Sequence, residues 1–487
     1  MTQHIAWFHR WLGIATCLVF ALWFASGAVL LFKPFPALPR GEQLRLKQPI
    51  DLAAVRVSPR QALALAGGGD SLRLVQRGAA PSYVVGTGAG AVNIDANSGA
   101  RLRPLDLRAA AATATGLFGP QATTVGPFDY DQWVVHNRFD PMRPLFRIDV
   151  PDSLGTRYYL SAQTGELVQR TNRWDRGWNW VGAVLHWAYF TPLRSSFTAW
   201  DQTVWWLSLV ALLVAVAGTF LGVVRTLAAR RQRKPALSFF RLRWMRWHHL
   251  LGLFASIFVL AWILSGWLSM DHGRFFSRGR ASSEQLARYA GRPLASGLAN
   301  LEVVSLRRLA GARELDFAMV GGSPIVTAWL PSGKFERYLA NGTRLHASDV
   351  AKLAALGIAA AWPGHAVTPP RAVPATDLYA LAEGWPATAL VFTDPAGQRP
   401  DIVVDSVNGQ PLTVLDGSRK SYAWIYYALH TFNFPRLTTH RALRQTLVLI
   451  PLLLGFVFSI TGVMLGYQRL CASARRRPRE TRRTSFS

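Results

Sequence analysis

The sequence predicts a membrane α-helical protein: four transmembrane helices in two tandem helix–outer domain–helix repeats, with an α+β outer domain in each repeat. Three observations carry this prediction. Four uncharged apolar runs, Trp11 to Phe32, Gln202 to Val224, Leu250 to Met270 and Gln445 to Gln468, each exceed the roughly 20 residues needed to cross the hydrocarbon layer. The chain matches itself when displaced by 239 residues over the first run and by 244 over the second. Between the runs, strand-forming stretches alternate with turn signals and short helical patterns. With half of its 487 residues hydrophobic and a net charge of +27, the chain is not an ordinary soluble domain. Two cysteines, Cys17 and Cys471, far apart, do not make a disulfide scaffold.

The elements follow in order. Residues 1–33 form the first transmembrane helix. Arg10 before an apolar stretch resembles a secretory signal, but the stretch is long, lacks a small-x-small cleavage site, and returns in near copy as the third run. Residues 34–177 form the first outer domain, with hairpin turns expected at Asn97-Ser98-Gly99 and Gln163-Thr164-Gly165 and a helix over Ser58 to Ala66. Gly67-Gly68-Gly69 and Ala109 to Thr115 read as loop or weak helix. Residues 178–225 hold an apolar interfacial helix, Trp178 to Phe190, and the second transmembrane helix. A basic loop, 226–246, leads to the third helix, 247–270. The second outer domain spans 271–421, with turns at Asn341-Gly342 and Asn408-Gly409 and a helix over Asp349 to Leu356. Residues 422–469 repeat the interfacial helix and span, and 470–487 are a basic tail.

Charge sets the direction. Eight Lys/Arg lie between Arg225 and His249 and seven from Arg469 onward, so both segments and both termini are expected in the cytoplasm. The two outer domains then face the periplasm of a Gram-negative inner membrane. Nucleic-acid binding is not expected, because the basic clusters adjoin span ends, where topology accounts for them.

Of eleven histidines, two classes recur in both repeats: His9 with His248, and His186 with His430. A lone histidine at a helix end is most often structural, but recurrence under a two-fold axis brings equivalent residues face to face. Two facing imidazoles in apolar, aromatic surroundings suit bis-axial ligation of a b-type haem, so two haems are expected, one near each membrane face. Zn²⁺ fits less well, since neither pair has Cys, Asp or Glu at ligand spacing. His249 adjoins His248 about 100° round the helix, and the repeat alignment selects His248. Arg194 and Arg436 are candidate partners of haem propionates or, equally, arginines that face phosphate. Tyr130, Trp133, His136 and His272 are substrate-side candidates, and His365 and His440 read as surface histidines. Gly86-Thr87-Gly88-Ala89-Gly90 lacks the context of a dinucleotide fingerprint and reads as a turn. The donor is therefore a separate reductase or a quinol.

Several motifs together resemble the PepSY-associated transmembrane family of bacterial inner-membrane proteins, which includes ferrisiderophore reductases. They are His9-Arg10-Trp11-Leu12-Gly13, Asp131-Gln132-Trp133, Arg143-Pro144-Leu145-Phe146-Arg147, Thr164-Gly165-Glu166, and Trp178-Asn179-Trp180 leading to Leu185-His186-Trp187-Ala188-Tyr189-Phe190-Thr191-Pro192-Leu193-Arg194. The resemblance implies PepSY-like outer domains, b-type haem, and reduction of a ferric siderophore in the periplasm. In the second repeat Leu250 replaces Trp11, and Pro435-Arg436-Leu437 replaces the run ending in Arg194. Two other functions compete. PepSY modules elsewhere are associated with inhibiting or regulating secreted proteases, which gives a non-enzymatic protein that binds a periplasmic partner. A transporter fits less well, because no apolar run carries an ionisable acid or base to line a polar path.

Overall fold

The computed structural model describes residues 2–88, 90–234, 238–365 and 368–476. The basic tail beyond Arg476, the middle of the basic loop and Ala89 lie outside the described residues. The chain divides into two units, one of Met1–Phe35, Gly177–Phe275 and Tyr422–Ser487, the other of Pro36–Arg176 and Phe276–Ser421.

The first unit is built on four transmembrane helices, Thr2–Leu30, Phe197–Arg231, Arg243–Ser269 and Arg441–Arg476. At about 1.5 Å per residue each is longer than the apolar layer needs, so the polar ends continue the helix past the uncharged run. Their apolar residues point both ways. Phe20, Phe24, Val214, Val259, Trp262 and Leu452 form a buried core between the helices, while Leu18, Phe254, Ile257 and Ile450 are more than half exposed, as a lipid-facing surface requires. Ahead of the second and fourth helices the chain makes two π-helical turns, Trp180–Val184 and Trp424–His430, at the two interfacial segments that the sequence marks.

Among the described residues the second unit contains fifteen strands. The first repeat supplies β1 Ser71–Arg77, β2 Ala80–Thr87, β3 Gly90–Asp95, β4 Arg101–Leu102, β5 Thr123–Phe128, β6 Leu145–Asp149, β7 Arg157–Ser161 and β8 Leu167–Thr171. The second supplies β9 Glu314–Val320, β10 Ser323–Trp329, β11 Phe335–Leu339, β12 Arg371–Ala372, β13 Ala389–Phe392, β14 Asp401–Asp405 and β15 Pro411–Leu415. The expected turns at 97–99, 163–165 and 408–409 join β3 to β4, β7 to β8 and β14 to β15. The first modules of both repeats merge into one seven-stranded sheet, in the order β11-β10-β9-β1-β2-β3-β4, and each repeat adds its own four-stranded sheet. The join is antiparallel pairing of β1 with β9, the same strand of each repeat. Arg73 pairs with Asp316, 243 residues on, so equivalent residues meet on the local two-fold axis. Each module alone would leave this strand as an open edge, and the pairing closes both edges at once. Leu72, Leu74, Tyr83 and Ile94 then share one core with Leu315, Phe317 and Val326.

Beside the join lies a network of buried charges. Arg73 contacts both oxygens of Glu166 at 2.8 and 2.7 Å, Lys47 bridges Glu166 and Glu314, and Arg40 reaches Glu314 at 3.0 Å. Burial opposes ionisation of Glu166, but Arg73 and Lys47 outweigh it and hold the carboxyl at about 2. Burial and the neighbouring Glu314 instead push Asp316 up to about 7. The stretch Ala109 to Thr115, read as loop or weak helix, is a full helix, Leu107–Phe118. Asp106 caps its Ala109 N–H at 2.8 Å, and the small Ala110 and Ala114, four apart, pack inward.

Candidate metal-cofactor site

Both recurring histidine pairs come together within the helical unit. His9 on the first helix and His248 on the third have ring centres 6.3 Å apart, and His186 and His430 have ring centres 6.4 Å apart. Two imidazoles on opposite sides of one metal, each nitrogen about 2.0 Å from it and each ring centre about 1.1 Å further on, have centres about 6 Å apart. Both pairs have that spacing. Seventeen residues separate His9 from Ser26, which holds His186, and His248 from Ser265, which holds His430. The two pairs therefore lie about 25 Å apart along the bundle.

Hydrogen bonds to carbonyls fix the tautomer of His9 and His430, and hydroxyl contacts hold His186 and His248 at the same nitrogen. The Nδ1–H of His9 donates to the Val214 carbonyl at 3.0 Å. His248 Nδ1 lies 2.9 Å from Thr461 Oγ1, whose hydroxyl proton goes to the Phe458 carbonyl. His186 Nδ1 lies 3.0 Å from Ser26 Oγ, and His430 Nδ1 lies 3.1 Å from Ser265 Oγ and 3.2 Å from the Trp262 carbonyl. Both serine hydroxyls give their protons to carbonyls of their own helices, Trp23 and Trp262. A carbonyl only accepts, so Nδ1 of His9 and of His430 carries the hydrogen and Nε2 keeps its lone pair, and a serine or threonine hydroxyl whose proton stays on its own helix's carbonyl accommodates the same tautomer at His186 and His248. That is the arrangement of a metal-ligating histidine held by an outer-shell acceptor.

Glycines make room for the rings. A Cβ on Gly218 would stand 2.5 Å from the His9 ring, on Gly462 3.5 Å from His248, on Gly27 3.5 Å from His186 and on Gly266 3.1 Å from His430. Each glycine faces a histidine from another segment, and the four fall into two repeat-related couples. Ala188 and Phe432, each two residues past its histidine and 244 apart, both adopt positive φ, 52° and 55°. Non-glycine residues keep such a conformation only where their surroundings impose it, commonly near functional sites, and here it follows a π turn in both repeats.

His9 and His248 also line a cavity of about 610 Å³, together with Gly13, Gly218, Gly222, Gly252, Gly462 and Gly466, within the usual range for a small-molecule pocket. His248 stacks on Phe458 at 4.9 Å. His249 uses both nitrogens elsewhere, Nε2 on Thr226 Oγ1 and the Gly222 carbonyl and Nδ1 on Ser238 Oγ, so the structure pairs His248, not His249, with His9. Among the described residues no three or more His, Cys, Asp and Glu side chains gather as a metal site.

A family model described as the PepSY-associated TM region matches residues 6–300, more than half of the chain. The chain belongs to the PepSY-associated TM family. The match includes His9, His186 and His248, and the internal repeat extends the correspondence to His430. No curated protein and no solved structure matches.

The remaining candidates of this PepSY-associated protein scatter. Arg194 is buried at 2% exposure, with its guanidinium over the rings of Tyr189, Phe197 and Trp200, whereas Arg436 is exposed with φ of 70°. Trp133 is 3% exposed and belongs to the core of the second unit rather than to a substrate-facing surface. Tyr130 stacks under Arg143 at 4.1 Å, and His136 accepts the Arg138 N–H as a helix cap. His272 belongs to the other unit, beside Gln202 at 3.0 Å and Asp201 at 3.7 Å. His365, expected at the surface, is buried and bonded to the Pro400 carbonyl. His440 is exposed. Sequence reasoning missed Ser26, Ser265 and Thr461 as anchors, although Ser26-Gly27 and Ser265-Gly266 recur in register.

Proposed function

We propose that this protein is an inner-membrane dihaem b-type oxidoreductase that passes electrons from a cytoplasmic or quinol donor to a periplasmic acceptor, a ferric siderophore. The observation that carries the reading is the double histidine pair. Four imidazoles are each held at Nδ1, with ring centres 6.3 and 6.4 Å apart in the two pairs, the separation of two ligands across one metal. His9 and His248 would hold one haem, and His186 and His430 the other. The chemistry that a b-type haem held by these histidines would supply is one-electron transfer. The chain's own contribution is to present four neutral imidazoles in fixed orientation, to leave glycine-lined space beside them, and to bury the path between the pairs under Phe20, Phe24, Val259 and Trp262, away from water. The basic inner loop and tail support an orientation with both termini in the cytoplasm.

The test is a pyridine haemochrome assay with protein quantitation on detergent-purified protein, repeated for the alanine variants of His9, His186, His248 and His430. About two b haems per chain, with each variant losing one, supports the relay and its ligand pairing. A haem-free wild type made with ample haem overturns it and leaves a PepSY membrane protein that binds a periplasmic partner.

A further inference from the structure

The cavity beside His9 and His248 is one-sided in charge. Among the described residues its wall includes three arginines, Arg10, Arg225 and Arg469, and no Asp or Glu, while Ile14, Phe20, Leu221, Leu253, Val259 and Phe458 make much of the rest apolar. Arg225 and Arg469 are 244 residues apart and equivalent in the two repeats. Each follows its histidine-facing glycine, Gly218 or Gly462, by seven residues. Seven residues are about two helical turns, so each arginine lies on its glycine's face of the helix, about 10 Å nearer the inner end. Arg225 is half-buried and held over the Phe240 ring at 5.0 Å, and Phe240 packs on His249 at 5.6 Å. Among the described residues, none of the three guanidiniums has an ion pair or a side-chain hydrogen bond.

An occupant that matches this wall has an apolar body and negative charge at one end. Guanidinium groups recognise carboxylates with two parallel hydrogen bonds, and two symmetry-related arginines call for two carboxylates. We propose that the inner cavity takes an amphiphilic dicarboxylate, an iron porphyrin with its two free carboxylates toward Arg225 and Arg469 and Arg10 beside them. This rests on the dihaem reading and adds to it an orientation and a requirement for free acid groups. A quinone carries no such groups and would leave the cations unmatched.

The experiment titrates full-length protein, prepared under haem limitation in detergent, with iron protoporphyrin IX and separately with its dimethyl ester, reading the Soret band. His9→Ala identifies the inner site's share of the signal. The expected result is that the ester fills the inner site at least about tenfold more weakly than the acid. Arg225→Gln with Arg469→Gln brings the acid down to the ester's affinity and leaves the ester's affinity as it was. Equal binding of acid and ester by the wild type overturns the carboxylate clamp while leaving two haems in place, and this comparison needs no variant to fold. Co-purified phospholipid that iron protoporphyrin IX fails to displace also overturns it. A bis-imidazole spectrum with neither compound refutes the dihaem reading itself.

Discussion

Ser26 Oγ lies 3.0 Å from Nδ1 of His186 and passes its own proton to the Trp23 carbonyl, a relay that Ser265 and His430 repeat on the opposite side. With its proton on that carbonyl the serine accepts from Nδ1, and under the dihaem reading this leaves Nε2 for the metal. Removing such outer-shell partners typically costs 10–100-fold in metal affinity. Ser26→Ala is expected to weaken haem retention at the outer site by about that factor, with the inner haem unaffected, read as haem loss during dialysis against apomyoglobin. Ser26→Thr keeps the acceptor and should restore retention. Unchanged loss rates in Ser26→Ala would refute the anchoring role.

Gly218 tests the inner site by shape. Its added Cβ would stand 2.5 Å from His9 Cε1, so Gly218→Ala must push the ring aside and break the bond to the Val214 carbonyl. One haem per chain should remain, the outer one. Gly116, in the helix Leu107–Phe118, is the control. A Cβ there meets nothing within 4 Å, and Gly116→Ala should keep both haems. Equal haem content in the two variants would count against the inner pair as a ligand site.

The four spans were legible because twenty uncharged apolar residues have few other uses, and the histidine pairs because each recurs in register. The join between β1 and β9 was not. Ser71–Arg77 and Glu314–Val320 read as ordinary strands, and a strand looks the same in sequence whether its edge is open or paired with its own copy. The anchors were hidden for another reason. Ser26 and Ser265 are small polar residues in apolar helices, where a serine usually bonds to its own backbone, and these do so while also accepting from an imidazole. The burial of Arg194 depends on Tyr189, Phe197 and Trp200 closing round it after the turn at Ala188, a geometry that spacing alone does not disclose. Ser58 before Pro59, by contrast, was visible as a helix start, and the structure adds Gln61 to make the full capping box.

His249 separates ligation from support. Its ring ties Thr226 and the Gly222 carbonyl on the second helix to Ser238 of the basic loop. His249→Ala should retain two haems, unlike His248→Ala, yet leave those groups without their partner, at a cost of about 1–3 kcal/mol. The expected sign is faster trypsin cleavage at Arg241, about tenfold or more, with an unchanged haem spectrum. Loss of a haem in His249→Ala would transfer the ligand role to it.

The charge network beside the sheet join gives the protein a stability optimum in pH. Glu166 is held at about 2, below its ordinary 4.5, so the folded protein gives up that proton more readily than the unfolded chain. Its contribution is complete above about pH 4.5 and is lost as pH falls toward 2. Glu314, held well below its ordinary value by Lys47, Arg73 and Arg40 against its burial, acts in the same direction. Asp316 acts in the opposite one: raised from 3.8 to about 7, it favours the fold below about pH 3.8, and that contribution is lost as pH rises to 7. Thermal unfolding of the full-length protein in detergent should therefore be most favourable to the fold between these ranges. Asp316→Asn, which can still accept the Trp329 Nε1–H that Asp316 receives at 2.7 Å, should flatten the decline between pH 4 and 7. Glu166→Gln removes one partner of a buried pair and leaves Arg73 and Lys47 undercompensated, which typically costs about 3–5 kcal/mol. A melting temperature unmoved by Glu166→Gln at pH 7 would mean that the network does not hold the two repeats together, and that the shared hydrophobic core of β1 and β9 suffices.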